Sequence, residues 1–172
     1  MLKRSFKLRN VVKTVAILAG LFVASCNNNG NDPENPNNSV PDPAGTITAN
    51  ISEETGFWID LYGQVYGQVS WTYPDNFELG SNYSNGKVSI CNLGSINGLG
   101  NITQIPVSGF TAPARYNYAV ACEKGHGYVV KFESSNLDPQ VLYVRLYVVE
   151  KLISTGGGIM GAKVKYQYPF EP

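Results

Sequence analysis

The chain has 172 residues, with 13 Lys/Arg balanced by 13 Asp/Glu, one His and 12% aromatic residues. The neutrality comes from a basic leader: beyond residue 25, eight Lys/Arg face thirteen Asp/Glu, a net of −5. An acidic body with no basic patch interleaved with aromatics excludes nucleic acid and charge-driven binding to anionic lipid, and a single His excludes a multi-His zinc centre.

Residues 1–25 carry the three parts of a secretory signal. Lys3, Arg4, Lys7, Arg9 and Lys13 form a basic start, Thr14 to Val23 an apolar run, and Ala24 and Ser25 a small-residue end. A bilayer span needs about 20 apolar residues, and this run is half that, which points to a cleaved signal. Val23-Ala24-Ser25-Cys26 resembles the lipobox of bacterial lipoproteins. That resemblance implies that the Cys26 thiol receives a diacylglycerol and that the chain is cut before it. Two acyl chains, at about 0.8 kcal/mol per buried CH₂, hold a protein lastingly in a membrane. The alternative is an ordinary cleaved signal, which leaves Cys26 without a role.

Residues 27–43 (NNNGNDPENPNNSVPDP) contain seven Asn and four Pro. So little apolar surface cannot offset the entropy of ordering. The reading is a tether over residues 26–43, reaching roughly 50 Å when extended, before a domain over residues 44–172. Asn27, where an Asp would signal inner-membrane retention, favours the outer membrane; periplasmic and surface faces both stay open.

From Ala44 onward the pattern turns to period two. Thr46 to Ile51 opens the series, and Val88 and Ile90 oppose Lys87, Ser89 and Cys91. Tyr116, Tyr118 and Val120 oppose Asn117, Ala119 and Ala121. Tyr128, Val130 and Phe132 alternate with Val129, Lys131 and Glu133. Leu142, Val144, Leu146 and Val148 oppose Tyr143, Arg145 and Tyr147. Ala162, Val164, Tyr166 and Tyr168 oppose Lys163, Lys165 and Gln167. Turn signals fall at Asn85-Gly86, Asn97-Gly98, Gly125-His126-Gly127 and Gly156-Gly157-Gly158. The expectation is an all-β fold, one β-sandwich or β-barrel-like domain. The apolar, β-branched run from Val141 to Val149 belongs in the middle of a sheet, because as an edge it would invite aggregation.

Phe57–Phe77 is the richest stretch, holding Trp58, Tyr62, Tyr66, Trp71 and Tyr73. Two readings compete. Trp58, Tyr62, Tyr66 and Trp71 form a glycan platform of rings that stack on sugar C–H faces, helped by Asp60, Gln64 and Gln68; or the stretch is a core hairpin. A turn at Gly63-Gln64 or at Gly67-Gln68 puts Trp58, Tyr62, Val69 and Trp71 on one face, which favours core. An odd-length turn or a bulge separates the tryptophans from the valines.

Cys91 and Cys122 remain once Cys26 is lipidated. Either they pair in a disulfide, stabilising by about 3–4 kcal/mol, or they are two separate buried thiols. His126 is either one half of a nucleophile pair with Cys122 or Cys91, oriented by Glu123, or a turn histidine between two glycines. Asp75 and Glu78 fall in a Pro-containing turn; they either bind calcium weakly or, the favoured reading since calcium takes six to eight oxygens, form a solvated turn. No metal, cofactor or catalytic constellation follows from these residues.

The lipobox, the Asn/Pro-rich tether and the β domain together resemble small Bacteroidota lipoproteins of uncharacterised function. Gly161–Phe170 and Pro43–Asn50 look like a family of unknown function from that group. The resemblance implies a lipid-anchored protein of the cell envelope, with Cys26 as its one assigned residue. The expected role is non-catalytic binding, the partner being a glycan or an envelope protein. A glycan-binding accessory module and a small hydrolase using His126 are the alternatives.

Overall fold

The computed structural model describes residues 40–112 and 120–172. Cys26, the leader and most of the tether lie outside the described residues, as does most of the strand expected at Tyr116–Ala121. The described chain forms eight strands: β1 (Ile47–Ile51), β2 (Phe57–Leu61), β3 (Gln64–Thr72), β4 (Asn76–Ser81), β5 (Lys87–Ser95), β6 (His126–Glu133), β7 (Val141–Ile153) and β8 (Ile159–Gln167). They make a five-stranded sheet, β1-β8-β7-β6-β5, and a three-stranded sheet, β2-β3-β4. All pairings are antiparallel. Two separate sheets packed face to face make this a sandwich and not a closed barrel.

Period-two alternation sets the inner face of the large sheet. Leu142, Val144, Leu146 and Val148 of β7, Tyr128, Val130 and Phe132 of β6, and Ala162, Val164 and Tyr166 of β8 are buried in one core. Phe57, Ile59, Tyr66, Val69, Trp71 and Phe77 face them from the small sheet. β7 is the central strand of five, which gives its apolar run paired neighbours on both sides.

The outer face of the large sheet is also covered, over part of its area. Leu99, Ile102, Val129 and Phe170 form a second cluster there, with Tyr143 and Tyr147 packed against it. The long β5–β6 connection and the C-terminal tail supply this layer. Arg145 pins both. Its Nη1 donates to the Ile102 carbonyl at 2.7 Å, its Nε donates to Gln167 Oε1 at 2.7 Å, and its guanidinium lies 4.8 Å from the Phe170 ring centre. Burial lowers the Arg145 pKa from its ordinary value.

Val40–Pro43, read from sequence as the end of the tether, belongs to the domain. Lys165 Nζ donates to Asp42 Oδ2 at 2.5 Å, and Gln167 Nε2 donates to the Ala44 carbonyl at 2.6 Å. The composition of the segment hid the partner that β8 supplies to Asp42. From there the chain turns through Pro43–Thr46 and enters β1.

Candidate functional site

The aromatic stretch folds as two hairpins, β2–β3 and β3–β4, and its register decides the exposure of each ring. Leu61 pairs with Gln64, so the first turn is Tyr62-Gly63, with φ of 54° and 75°. Both residues at positive φ make the tight turn that suits a hairpin's right-handed twist. A bulge between Ile59 and Asp60 then inserts Tyr66 as the extra residue, and Phe57 pairs with Val69 and Trp58 with Gln68. The turn lies one residue before Gly63-Gln64, a two-residue change of register that by itself keeps the phase, and the bulge at Tyr66 supplies the odd step that exchanges the two faces. Phe57 and Ile59 enter the core, and Trp58 is left 55% exposed.

The four candidate platform residues divide in pairs. Trp58 and Tyr62 are exposed, while Tyr66 and Trp71 are buried. The Tyr66 hydroxyl donates to the Pro139 carbonyl at 2.8 Å, and Trp71 Nε1 donates to Asp75 Oδ1 at 2.9 Å. A four-ring platform is thus overturned: two of its members are core residues whose polar atoms are already bonded. Tyr143 and Tyr147 lie under the outer layer.

No disulfide joins Cys91 to Cys122. Alternation along β5 turns Ile90 into the sandwich and Cys91 to the outer face, where its Sγ lies 3.7 Å from the Ser108 carbonyl. Cys122 belongs to the inner core, so the large sheet stands between the two. Burial raises the Cys122 pKa to about 12, Lys151 opposing and Asp75 adding to that shift. A protonated, buried thiol is a poor nucleophile.

His126 is the first residue of β6, paired with Ser95, and not a turn residue. Its Nδ1 lies 3.0 Å from Glu123 Oε2 and 3.2 Å from Asn92 Oδ1. Glu123 thus lies beside it, but Cys91 and Cys122 occupy the outer layer and the inner core. Asp75 sits in the β3–β4 turn and takes a bidentate contact from Lys151 Nζ, at 2.6 and 2.7 Å. Glu78, expected in the same turn, is in β4, with Ser70 Oγ 3.3 Å from its Oε2. Among the described residues no three His, Cys, Asp or Glu side chains gather as a metal site would require.

One formed depression gathers residues that sequence did not connect. It lies where β1 ends, β3 ends and β8 begins. It holds about 300 Å³ and is lined by Ser52, Glu53, Glu54, Trp71, Tyr73, Ile159 and Met160. Trp71 is buried in its wall, whereas Tyr73 is 71% and Met160 50% exposed. The rim is tied in place. Ser52 Oγ accepts from the Glu54 and Thr55 amides at 3.2 and 3.1 Å, and the Trp71 amide donates to the Ser52 carbonyl at 3.4 Å. The Tyr73 amide donates to Glu53 Oε1 at 3.1 Å. Among the described residues neither Glu53 nor Glu54 joins an ion pair. The nearby Lys151 is held by Asp75. Ser52-Glu53-Glu54-Thr55 reads in sequence as a hydroxyl-capped turn, but nothing in sequence places it against Ile159 and Met160.

A second depression, of about 640 Å³, runs beside Leu79–Ser89 and reaches Ala112, the last residue before an undescribed segment.

No protein-family model, curated protein or solved structure matches this chain.

Proposed function

We propose that the chain is a lipid-anchored, extracytoplasmic binding module of the cell envelope, held through Cys26 and non-catalytic. The leader and Val23-Ala24-Ser25-Cys26 support the anchor, and Asn27 supports the outer membrane. The groove between Glu53, Tyr73 and Met160 is the observation that carries the binding role. It presents aromatic, apolar and acidic groups to solvent on a hydrogen-bonded frame, and pre-organised groups of this mixture suit ligand capture. β1 runs from the end where the chain enters the sandwich to the end where Ser52 lines the groove. A tether leaving at Val40 therefore leaves the groove at the far end of that strand.

The anchor is tested by feeding cells an alkyne-bearing palmitate analogue. The full-length protein is expected to take up the label, to band with outer membranes on a density gradient, and to lose the label in Cys26→Ala. A labelled Cys26→Ala protein, or an unlabelled wild type, ends the lipoprotein reading.

Trp58 favours a second reading. It stands on the outer face of the small sheet in a cross-strand row with Gln68 and Gly80. The Gly80 position is open, with nothing within 4 Å of an added Cβ. A ring beside an amide and a bare glycine is a small sugar-stacking surface. An absence of signal on a glycan array probed with the full-length protein removes this reading.

A further inference from the structure

We infer that the groove at the end of β1 takes a basic side chain, lysine or arginine, carried on an apolar segment of a partner protein. The inference rests on the binding role proposed above and names the chemistry of that site. Three observations converge on it.

The first is charge. Glu53 and Glu54 stand together on the rim with no cation among the described residues to neutralise them. Glu53 is also aimed, since the Tyr73 amide fixes one of its oxygens. A cation entering the groove meets carboxylates that need little reordering, which lowers the cost of binding. The net charge of −5 beyond residue 25 draws basic partners and repels acidic ones.

The second is the wall. Tyr73 offers an exposed ring, and a cation over a ring face is attracted by its quadrupole. Ile159 and Met160 suit the methylene stem of a long basic side chain, which buries its carbons while its head stays polar. A groove of about 300 Å³ is at the small end for ligand sites, matching one side chain better than a larger molecule.

The third is the surroundings. Ile153 is 56% exposed and pairs across the hairpin with Ile159, so apolar surface continues past the groove. Contiguous exposed apolar area beside a charged rim marks a protein-binding surface. A free amine or polyamine would leave that apron uncovered.

The test uses the full-length protein in detergent and three acetylated, amidated heptapeptides alternating valine and threonine. Their central residue is lysine, norleucine or glutamate, and affinity is read by calorimetry. The lysine peptide is expected to bind at least tenfold tighter than the norleucine peptide, and the glutamate peptide not at all. The double variant Glu53→Gln/Glu54→Gln should bring lysine down to the norleucine level, and Tyr73→Ala should weaken both. Both changes lie on the exposed rim, and an unchanged melting temperature verifies the fold. Equal affinity for lysine and norleucine overturns the inference while leaving the groove a binding site. No binding of any peptide overturns the inference as well, while the anchor stands or falls by the palmitate label. A dimer in sedimentation that dissolves in Met160→Glu makes a second copy the occupant and likewise overturns it.

Discussion

Burial holds the Cys122 thiol protonated in the fold, its pKa pushed up to about 12. In the unfolded chain a thiol titrates near 8.5–9. Between those values the unfolded state gives up a proton that the folded state keeps, so stability falls as pH rises. This contribution is complete below about pH 8.5 and is lost on the way to pH 12. Burial also raises the pKa of Tyr66, Tyr128, Tyr147 and Tyr166, which adds the same sign at higher pH. At pH 10.5 the thiol alone should lower stability by about 2 kcal/mol, at 1.36 kcal/mol per unit. Urea unfolding from pH 8 to 10.5 should show a steeper loss in wild type than in Cys122→Ala. Identical slopes would mean that the thiol ionises freely in the fold. Cysteine count and spacing made a pair conceivable, but counting could not see that alternation along β5 sends Cys91 to the outer face. His126 shows the converse. Its carboxylate neighbour was legible in sequence because Glu123 is three residues away, whereas Asn92 arrives from another strand.

At the scale of the element, the β2–β3 hairpin carries the most information, because a bulge and a strained turn fix its faces together. Tyr62 is the one non-glycine residue at positive φ among the described residues, a conformation that costs a side chain about 1–2 kcal/mol. The return is burial of Phe57 and Ile59, each worth roughly 1.5–3 kcal/mol when fully enclosed. Gly67 follows the bulge and turns inward against the large sheet. A Cβ there would overlap the Gly80 carbonyl and come within 2.6 Å of Phe132 Cε1. Neither the backbone of β4 nor a fully buried ring yields easily. Gly67→Ala should therefore cost about 3 kcal/mol, the upper range for overpacking, while Gly80→Ala, with open space around it, should cost well under half of that. Denaturant midpoints of the two variants check the contrast, and equal losses would place the strain elsewhere. Strands β6, β7 and β8 were legible over the stretches that alternate, such as Leu142–Val148, while the end of β7 beyond its irregularity at Val148/Glu150 was not. The hairpin was not, because Tyr-Gly at the turn competes with Gly-Gln one residue later. Both turns leave the faces in the same phase, so what burial of Phe57 and Ile59 against the large sheet selects is the bulge at Tyr66, which has no signature in sequence.

At the scale of the whole molecule the sandwich is a three-layer object, and its third layer has no periodic signature. Residues 96–112 show neither a two-residue nor a helical period, yet they cover Val129, Tyr143 and Tyr147. That is why alternation alone, which puts Tyr143 and Tyr147 on the face opposite the core, could not show that this face is covered. The layer is held to the sheet by apolar contact and by one guanidinium. Arg145 joins the Ile102 carbonyl, Gln167 and the Phe170 ring, and has no carboxylate partner among the described residues. Its charge is offset by hydrogen bonds to neutral acceptors and by a ring face, worth roughly 1.5–3 kcal/mol for charged hydrogen bonds. Arg145→Gln keeps some polarity but cannot span all three contacts. It should cost about 2 kcal/mol, and the loss should be local. The two core clusters lie on opposite faces of the large sheet, so opening the outer one exposes no residue of the sandwich interior. Amides of Ile102, Thr111 and Phe170 donate to Leu99, Ile90 and Tyr143 carbonyls, and these should exchange faster in the variant. Amides of β3, paired on both sides within the small sheet, should keep their wild-type protection. Stability that varies by region in this way identifies a separate opening unit. A uniform rise in exchange across β3 and β7 would instead make the outer layer part of the same cooperative core.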